Sequence, residues 1–307
     1  MTIRIAEEWL AKCGGCEVTI LDVGEAILDL LPKIEFVHMP VIMDHKYYGQ
    51  TGERAEIEIP EADIGIIAGG IRNEEHREVA KIMREKCKII IALGSCACFG
   101  GIPALGNMFK LDEIYDKVYR GTKSTEPGDA PSVDLPHLTD RVYAIDEEIK
   151  VDVYLPGCPT HYSHIAEALT ALIEGKPFKL AERSVCDDCP LIREKKAVAT
   201  IRRNLEPLDY DPTKLDKTRC LMEQGILCLG PVTRAGCGGP DKTPRCISVG
   251  IPCEGCFGPI RPGANPMVEM MGALSSIGLD PKQVLDRRAT LQRFIGAHNR
   301  LRPLPTR

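Results

Sequence analysis

Over the first 180 residues, apolar runs of strand length alternate with stretches of helical spacing. Ile3–Ile5 begins a short strand. Val18, Leu21, Ile27, Leu30 and Leu31 recur at helical intervals, so Val18–Leu31 is expected to be a helix, and Ile34–Met39 is strand-like again. Ile64–Ala68 and Lys88–Leu93 are continuous apolar runs, each followed by glycine. Between them Glu74–Lys86 is charged and amphipathic. Val151–Leu155 predicts another strand, ending at Pro156-Gly157-Cys158, and His164–Ile173 a following helix. Unbroken apolar strands separated by helices indicate a parallel sheet covered on both faces. In such sheets functional groups gather beyond the carboxyl ends of the strands.

The second part has a different texture. Gly121–His137 is rich in Gly, Pro, Ser, Thr and charge and reads as a surface loop. From Ala181 the periodicity fades, and Gly, Pro and Cys dominate up to Pro266. Pro281–Leu301 regains helical spacing with basic residues. The expected organisation is a doubly wound α/β domain over 1–180 and a smaller, irregular domain over 181–307 held together by metal.

The cysteines change this picture most. There are 14 in 307 residues, and 12 fall into three sets of four. The first is Cys13, Cys16, Cys96 and Cys158. The second is Cys186, Cys189, Cys220 and Cys228. The third is Cys237, Cys246, Cys253 and Cys256. Each contains one C-x2-C pair. The members of the first set follow three predicted strands, so one site built from three loops is expected there. Four converging thiolates suit an iron–sulfur cube, and flanking glycines such as Gly14, Gly15, Gly94 and Gly157 allow close backbone approach. Zinc also uses C-x2-C pairs, usually from two compact knuckles, and stays open as the alternative. Cys98 competes with Cys96 as a ligand; Cys96 is preferred because it directly follows the strand end at Gly94-Ser95. Cys87, opening a predicted strand, is expected to be an inert core thiol. Glu17 beside Cys16 is either a first-turn acid favoured by the helix dipole or a group that tunes the site or relays a proton. His161 and His164 are expected to be structural.

Composition narrows the classes. No run of 18 apolar residues exists, so no membrane span is expected. Met1–Leu10 has no apolar signal core, which predicts a cytoplasmic chain, and in a reducing compartment this many cysteines indicates metal rather than disulfides. Aromatic residues make up 5%, which argues against stacking on single-stranded nucleic acid. Residues 1–180 carry 19 Lys+Arg and 30 Asp+Glu, a net of −11; residues 181–307 carry 20 and 14, a net of +6. Basic residues around anionic clusters, or an ordinary charged surface, would both give that asymmetry.

The motifs Cys13-Gly-Gly-Cys16-Glu17, Gly94-Ser-Cys96-Ala-Cys98-Phe-Gly-Gly101 and Leu155-Pro-Gly-Cys158-Pro159, with the cysteine-rich tail, resemble the small subunit of nickel–iron hydrogenases over essentially the whole chain. The resemblance implies a flavodoxin-like sheet over 1–180. It implies a proximal 4Fe-4S cluster on Cys13, Cys16, Cys96 and Cys158, and a distal one on Cys186, Cys189, Cys220 and Cys228. A medial one would lie on Cys237, Cys246, Cys253 and Cys256. Where many members have a distal histidine this chain has Cys186, and where many have a medial proline, and so a 3Fe-4S cluster, it has Cys246. These departures resemble the cytoplasmic, low-potential branch, the methyl-viologen-reducing hydrogenases of methanogens, whose deazaflavin-reducing relatives are similar. The implied partners are a large subunit holding the nickel–iron centre, a small 2Fe-2S (delta-like) subunit and heterodisulfide reductase. Every C-x2-C pair is already used, so this chain is expected to be catalytically silent alone. A quinone-reducing subunit of respiratory complex I type shares the N-terminal pattern. It typically has adjacent cysteines at its first ligand site, and it lacks the cysteine-rich tail.

Overall fold

A computed structural model describes residues 2–124, 126–202 and 206–305. Its centre is a five-stranded parallel sheet of β1 (Ile3–Trp9), β2 (Ile34–His38), β3 (Ala62–Ala68), β5 (Cys87–Leu93) and β7 (Val153–Leu155). The order across the sheet is β2-β1-β3-β5-β7. The first strand thus lies between the second and third, the flavodoxin-like winding whose crevice opens at the strands' carboxyl ends. The remaining two strands, β4 (Ile71–Asn73) and β6 (Leu138–Tyr143), form a separate antiparallel pair.

Alternate side chains of each central strand go to opposite faces. Ile5, Ile64, Ile66, Ile91 and Leu155 enter one core with Ile20 and Ile165. Ala6, Ile67, Ile90 and Ala92 enter the other with Val79 and Met83. Helices α1 (Gly15–Leu21) and α6 (Tyr162–Ile173) supply the first core. Helix α3 (Glu74–Lys86) supplies the second. Asn73 caps α3 by accepting the His76 amide at 2.8 Å.

Four features depart from the pattern-based expectation. Val18–Leu31 is not one helix: α1 ends at Leu21 and α2 (Ala26–Leu30) restarts after a turn in which Gly24 has φ +66°. The helical spacing on both sides survives, but that backbone angle breaks the rod. Pro281–Leu301 is a short 3-10 turn at Pro281–Gln283, a five-residue α10 (Arg287–Leu291) and irregular chain. That last stretch folds back on the sheet half, where the Ala297 amide donates to Phe99 O at 3.0 Å. Helix α9 (Pro266–Ser276) carries no strong periodicity, yet Asn265 caps it and Met270 and Leu274 are buried one turn apart. Finally, the cysteine-rich part has an apolar core of its own, including Val185, Leu221, Ile226, Leu229, Met270, Leu274 and Leu291. Metal is therefore not its only organising element. Gly121–His137 contains no helix or strand among its described residues; Thr125 lies outside them.

Short helices α4 (Gly94–Phe99), α5 (Leu111–Tyr115), α7 (Val185–Asp188) and α8 (Arg245–Ser248) are the remaining α-helices among the described residues. Two of them, α4 and α7, carry cysteines of the first and second sets; α8 carries Cys246.

Candidate metal centre

The first cysteine set sits beyond the carboxyl ends of β1, β5 and β7. Cys13 and Cys16 lie in and just after the loop leaving β1; Cys96 is in α4, which begins where β5 ends; Cys158 follows β7 by three residues. The parallel sheet brings these ends to one edge. Burial pushes the Cys16 thiol up to about 12, with Lys12 pulling it down and the neighbouring Cys96 and Cys13 adding to the rise. Burial likewise raises Cys96 to about 12, with Cys158 and Cys13 next in effect. Cys158 is raised by burial and by Cys13. Cys13 and Cys96 are thus each within electrostatic reach of the other three sulfurs.

The cradle is shaped by absent side chains. Gly94 has φ +80°, and a Cβ there would lie 2.5 Å from Cys16 Sγ. Only glycine takes this angle without strain and leaves the sulfur its space. Gly157, at φ +137°, runs against Pro159, Thr160 and Phe257, where a Cβ would meet atoms at 2.6–2.8 Å. Cys98 points elsewhere: it is fully buried in the opposite core, and its thiol donates to Ala92 O at 3.3 Å. Cys87 is buried in that core too.

The second set converges as well. Burial drives Cys186 up to about 12; Cys228, Cys189 and Cys220 raise it further, and Arg193 opposes them. Cys228 is also raised to about 12 by burial, offset by the amides of Gly230 and Cys253, and pushed further by Cys220 and Cys189. A Cβ on Gly230 would lie 3.2 Å from Cys186 Sγ and 3.5 Å from Cys228 Sγ. In the third set burial raises Cys256 to about 12, with Cys237 and Cys246 adding to it. Cys253 is raised by burial, then by Cys228 and Cys256.

These contacts also order the sets. Cys256 of the third set feels Cys158 of the first, and the two loops are joined through the Ser95 hydroxyl, which accepts the Gly157 amide and donates to Cys256 O. Cys253 of the third set donates its amide to Cys228 Sγ of the second at 3.2 Å. The third set therefore lies between the other two, although it is last in sequence.

All fourteen cysteines are free thiols. Among the described residues, no three His, Cys, Asp or Glu side chains converge tightly enough to ligate a single metal ion. Zinc holds its sulfurs about 2.3 Å from one ion. In a cube each iron takes its own thiolate, so the four sulfurs stand apart. Sets of four thiols with buried members raised by desolvation, an amide donor aimed at Cys228 Sγ and a cradle floored by glycine fit a 4Fe-4S cluster. Binding iron offsets the cost of burying thiolates, which is what raises the free thiols.

The basic half contributes at short range. Arg193 donates to Cys186 O at 2.9 Å, and Arg245 and the Arg245 amide both lower Cys237. The histidines are structural: His161 caps α6 through the Ser163 amide, and His164 Nε2 is 2.9 Å from Gly236 O.

One buried feature was missed by pattern reading. Glu7 and Glu8 are consecutive in β1, an interior strand of the sheet, and both are buried. Glu8 accepts from Tyr47 at 2.6 Å and pairs with His38 at 2.5 Å. Glu7 faces Glu17, which forms an ion pair with a fully covered Lys12. Burial and the Glu17 carboxyl push Glu7 up to about 9. Neither Glu7 oxygen has a donor. A proton on Glu7 lets one of its oxygens donate to the Glu17 carboxylate, which reduces that deficit. Glu17 is thus more than the first-turn acid of α1. The available signal was the pair of acids within Ile3–Trp9, a strand otherwise apolar at its centre.

The family described as NADH ubiquinone oxidoreductase, 20 Kd subunit, matches residues 13–172, a span that contains the whole first set. The chain is 38% identical over 295 residues to the G subunit of the vhu F420-non-reducing hydrogenase of Methanocaldococcus jannaschii, covering 96% of this chain and 95% of that one. A chain of an NAD+-reducing [NiFe]-hydrogenase in the H2-reduced state superposes with a TM-score of 0.52 at 33% identity, covering 58% of this chain and 96% of that one. A chain of the Dm. baculatum [NiFeSe]-hydrogenase gives 0.53 at 18% identity over 86% of this chain and 96% of its own, a likeness of fold alone. The chain belongs to the 20 Kd subunit family, in its nickel–iron hydrogenase small-subunit class. Within that class it is a relative of the G subunits of F420-non-reducing hydrogenases, and so an oxidoreductase subunit of a hydrogenase.

Proposed function

We propose that this chain carries electrons from hydrogen oxidation, performed by a nickel–iron large subunit, to a 2Fe-2S subunit and on to heterodisulfide reductase. Electrons would enter at Cys13, Cys16, Cys96 and Cys158. They would move to Cys237, Cys246, Cys253 and Cys256 and leave from Cys186, Cys189, Cys220 and Cys228. A 4Fe-4S cluster on each set supplies a one-electron store. The chain's own residues hold the sulfurs, aim amides at them and keep water away. On this proposal the first set belongs to a flavodoxin-like domain, 1–180, and the other two to a cysteine-rich domain, 181–307. The observation that carries it is the order in which the loops are joined, that of Cys158 to that of Cys256 through Ser95, and Cys253 to Cys228.

A cytoplasmic location fits this role. Among the described residues no helix is long and apolar enough to cross a membrane. A complex I role would draw only on residues 13–172, which stop short of Cys186, whereas likeness to the hydrogenase relative runs over 96% of the chain.

Iron analysis and EPR on anaerobically purified protein test the proposal. About twelve irons per chain are expected, and about four would defeat it. Cys246→Pro should convert the third-set signal to a 3Fe type; an unchanged spectrum would show Cys246 is not a ligand. Cys96→Ala should lose about a third of the iron and Cys98→Ala none. The reverse result would exchange their roles.

A further inference from the structure

The junction between the first and third sets is held by a side chain that no cluster needs as a ligand. Ser95 is buried at the start of α4, next to Cys96. Its amide donates to Gly157 O at 2.8 Å, and its hydroxyl accepts the Gly157 amide at 3.0 Å. The same hydroxyl donates to Cys256 O. One oxygen therefore ties together three loops: those carrying Cys96, Cys158 and Cys256. A hydroxyl is suited to this, because it donates and accepts at one atom.

The turn it holds is tight. Gly157 presses against Phe257, the residue after Cys256, with no room for a Cβ. Directly beyond it, the Cys158 amide lies near the Cys256 thiol and works against the rise that burial gives it. Amides aimed at ligand sulfur favour the added negative charge of the reduced state. At the junction of the third and second sets the Cys253 amide donates to Cys228 Sγ at 3.2 Å, but Ser95 makes none of its hydrogen bonds to those two residues.

We propose that Ser95 is a positioning residue: by clamping Gly157 to the Cys256 carbonyl it holds the neighbouring Cys158 amide beside the Cys256 sulfur, and so raises the reduction potential of the cluster that Cys256 binds. This rests on the three-cluster reading above. Its effect is local to one junction, and the other junction is an internal control.

The test is an EPR-monitored redox titration of the anaerobically purified complex, with the third-set signal assigned by Cys246→Pro. Ser95→Ala should keep its iron and make reduction of the third-set cluster about tenfold less favourable, about 59 mV for one electron. The second-set potential should not move. Ser95→Thr, which keeps the hydroxyl, should restore the wild-type value. Ser95→Cys, a weaker donor, should shift it in the same direction by less, and serves if the alanine protein does not assemble. An unmoved third-set potential in the alanine or cysteine protein overturns the proposal, as does an equal shift of all three. Fewer than three clusters in the wild-type chain brings down the three-set reading itself, and this inference with it.

Discussion

Gly94→Ala is expected to empty the first cysteine set while leaving the other two loaded. The residue follows β5 directly and opens α4 with φ +80°. Placing alanine in that region costs about 1–2 kcal/mol in backbone strain alone. The new Cβ would also sit 2.5 Å from Cys16 Sγ, with Gly157 O at 3.6 Å. Cys16 is buried, so its sulfur can give way only by leaving the position where it faces Cys96 and Cys13. A cube that loses one thiolate loses its protection from water and its net charge balance. Iron and sulfide analysis should find about two thirds of the wild-type content. Full iron with an unaltered first-set signal would mean that the cradle tolerates a methyl group and that Gly94 is not part of it.

Glu7→Gln is expected to flatten the pH dependence of stability. Glu7 is pushed up to about 9, from the ordinary 4.5, by burial and then by Glu17, with Lys12 opposing. The folded chain therefore keeps a proton that the unfolded chain releases. Stability from this group is complete below about pH 4.5 and is lost as pH rises towards about 9, because the folded state binds more protons across that window. The loss is on the order of 5 kcal/mol for a shift of this size. Glutamine has nearly the same shape, donates to Glu17 as the protonated acid does, and does not titrate. Thermal unfolding of the anaerobic protein should show a midpoint that falls between about pH 5 and about pH 9 in the wild type and falls much less in the variant. Parallel curves would show that Glu7 is ionised in the fold and satisfied by Lys12. Because Glu17 adjoins Cys16, the variant also tests whether this acid pair matters to the site: an altered first-set signal would join the two.

Several features were legible because they depend on local chemistry. The apolar runs at Ile64–Ala68 and Lys88–Leu93 became β3 and β5, since a strand buried on both faces has little choice of residue. The charged, amphipathic Glu74–Lys86 became α3 with those bounds, fixed by the Asn73 cap. Loops were harder. Gly24 divides one expected helix through a single backbone angle, and the spacing of Val18 to Leu31 does not register it. The basic, helix-spaced tail after Pro281 follows the surface of the sheet half instead of forming a rod. It is held there by contacts such as His298 to Asp146 at 2.7 Å, from partners far away in sequence.

The amino-acid sequence by itself determined the inventory: twelve sulfurs in three fours, strands able to bring Cys13, Cys96 and Cys158 to one edge, and glycines where side chains would obstruct them. Spacing and hydrophobicity act between neighbours, so they can be read in one dimension. The tertiary structure decided what lies next to what. It placed the third set between the first and second, sent Cys98 into the opposite core, buried Glu7 against Glu17 and gave Ser95 three loops to hold. Each of these depends on charge and hydrogen bonding between segments up to 161 residues apart, as between Ser95 and Cys256, and only folding brings such segments within reach.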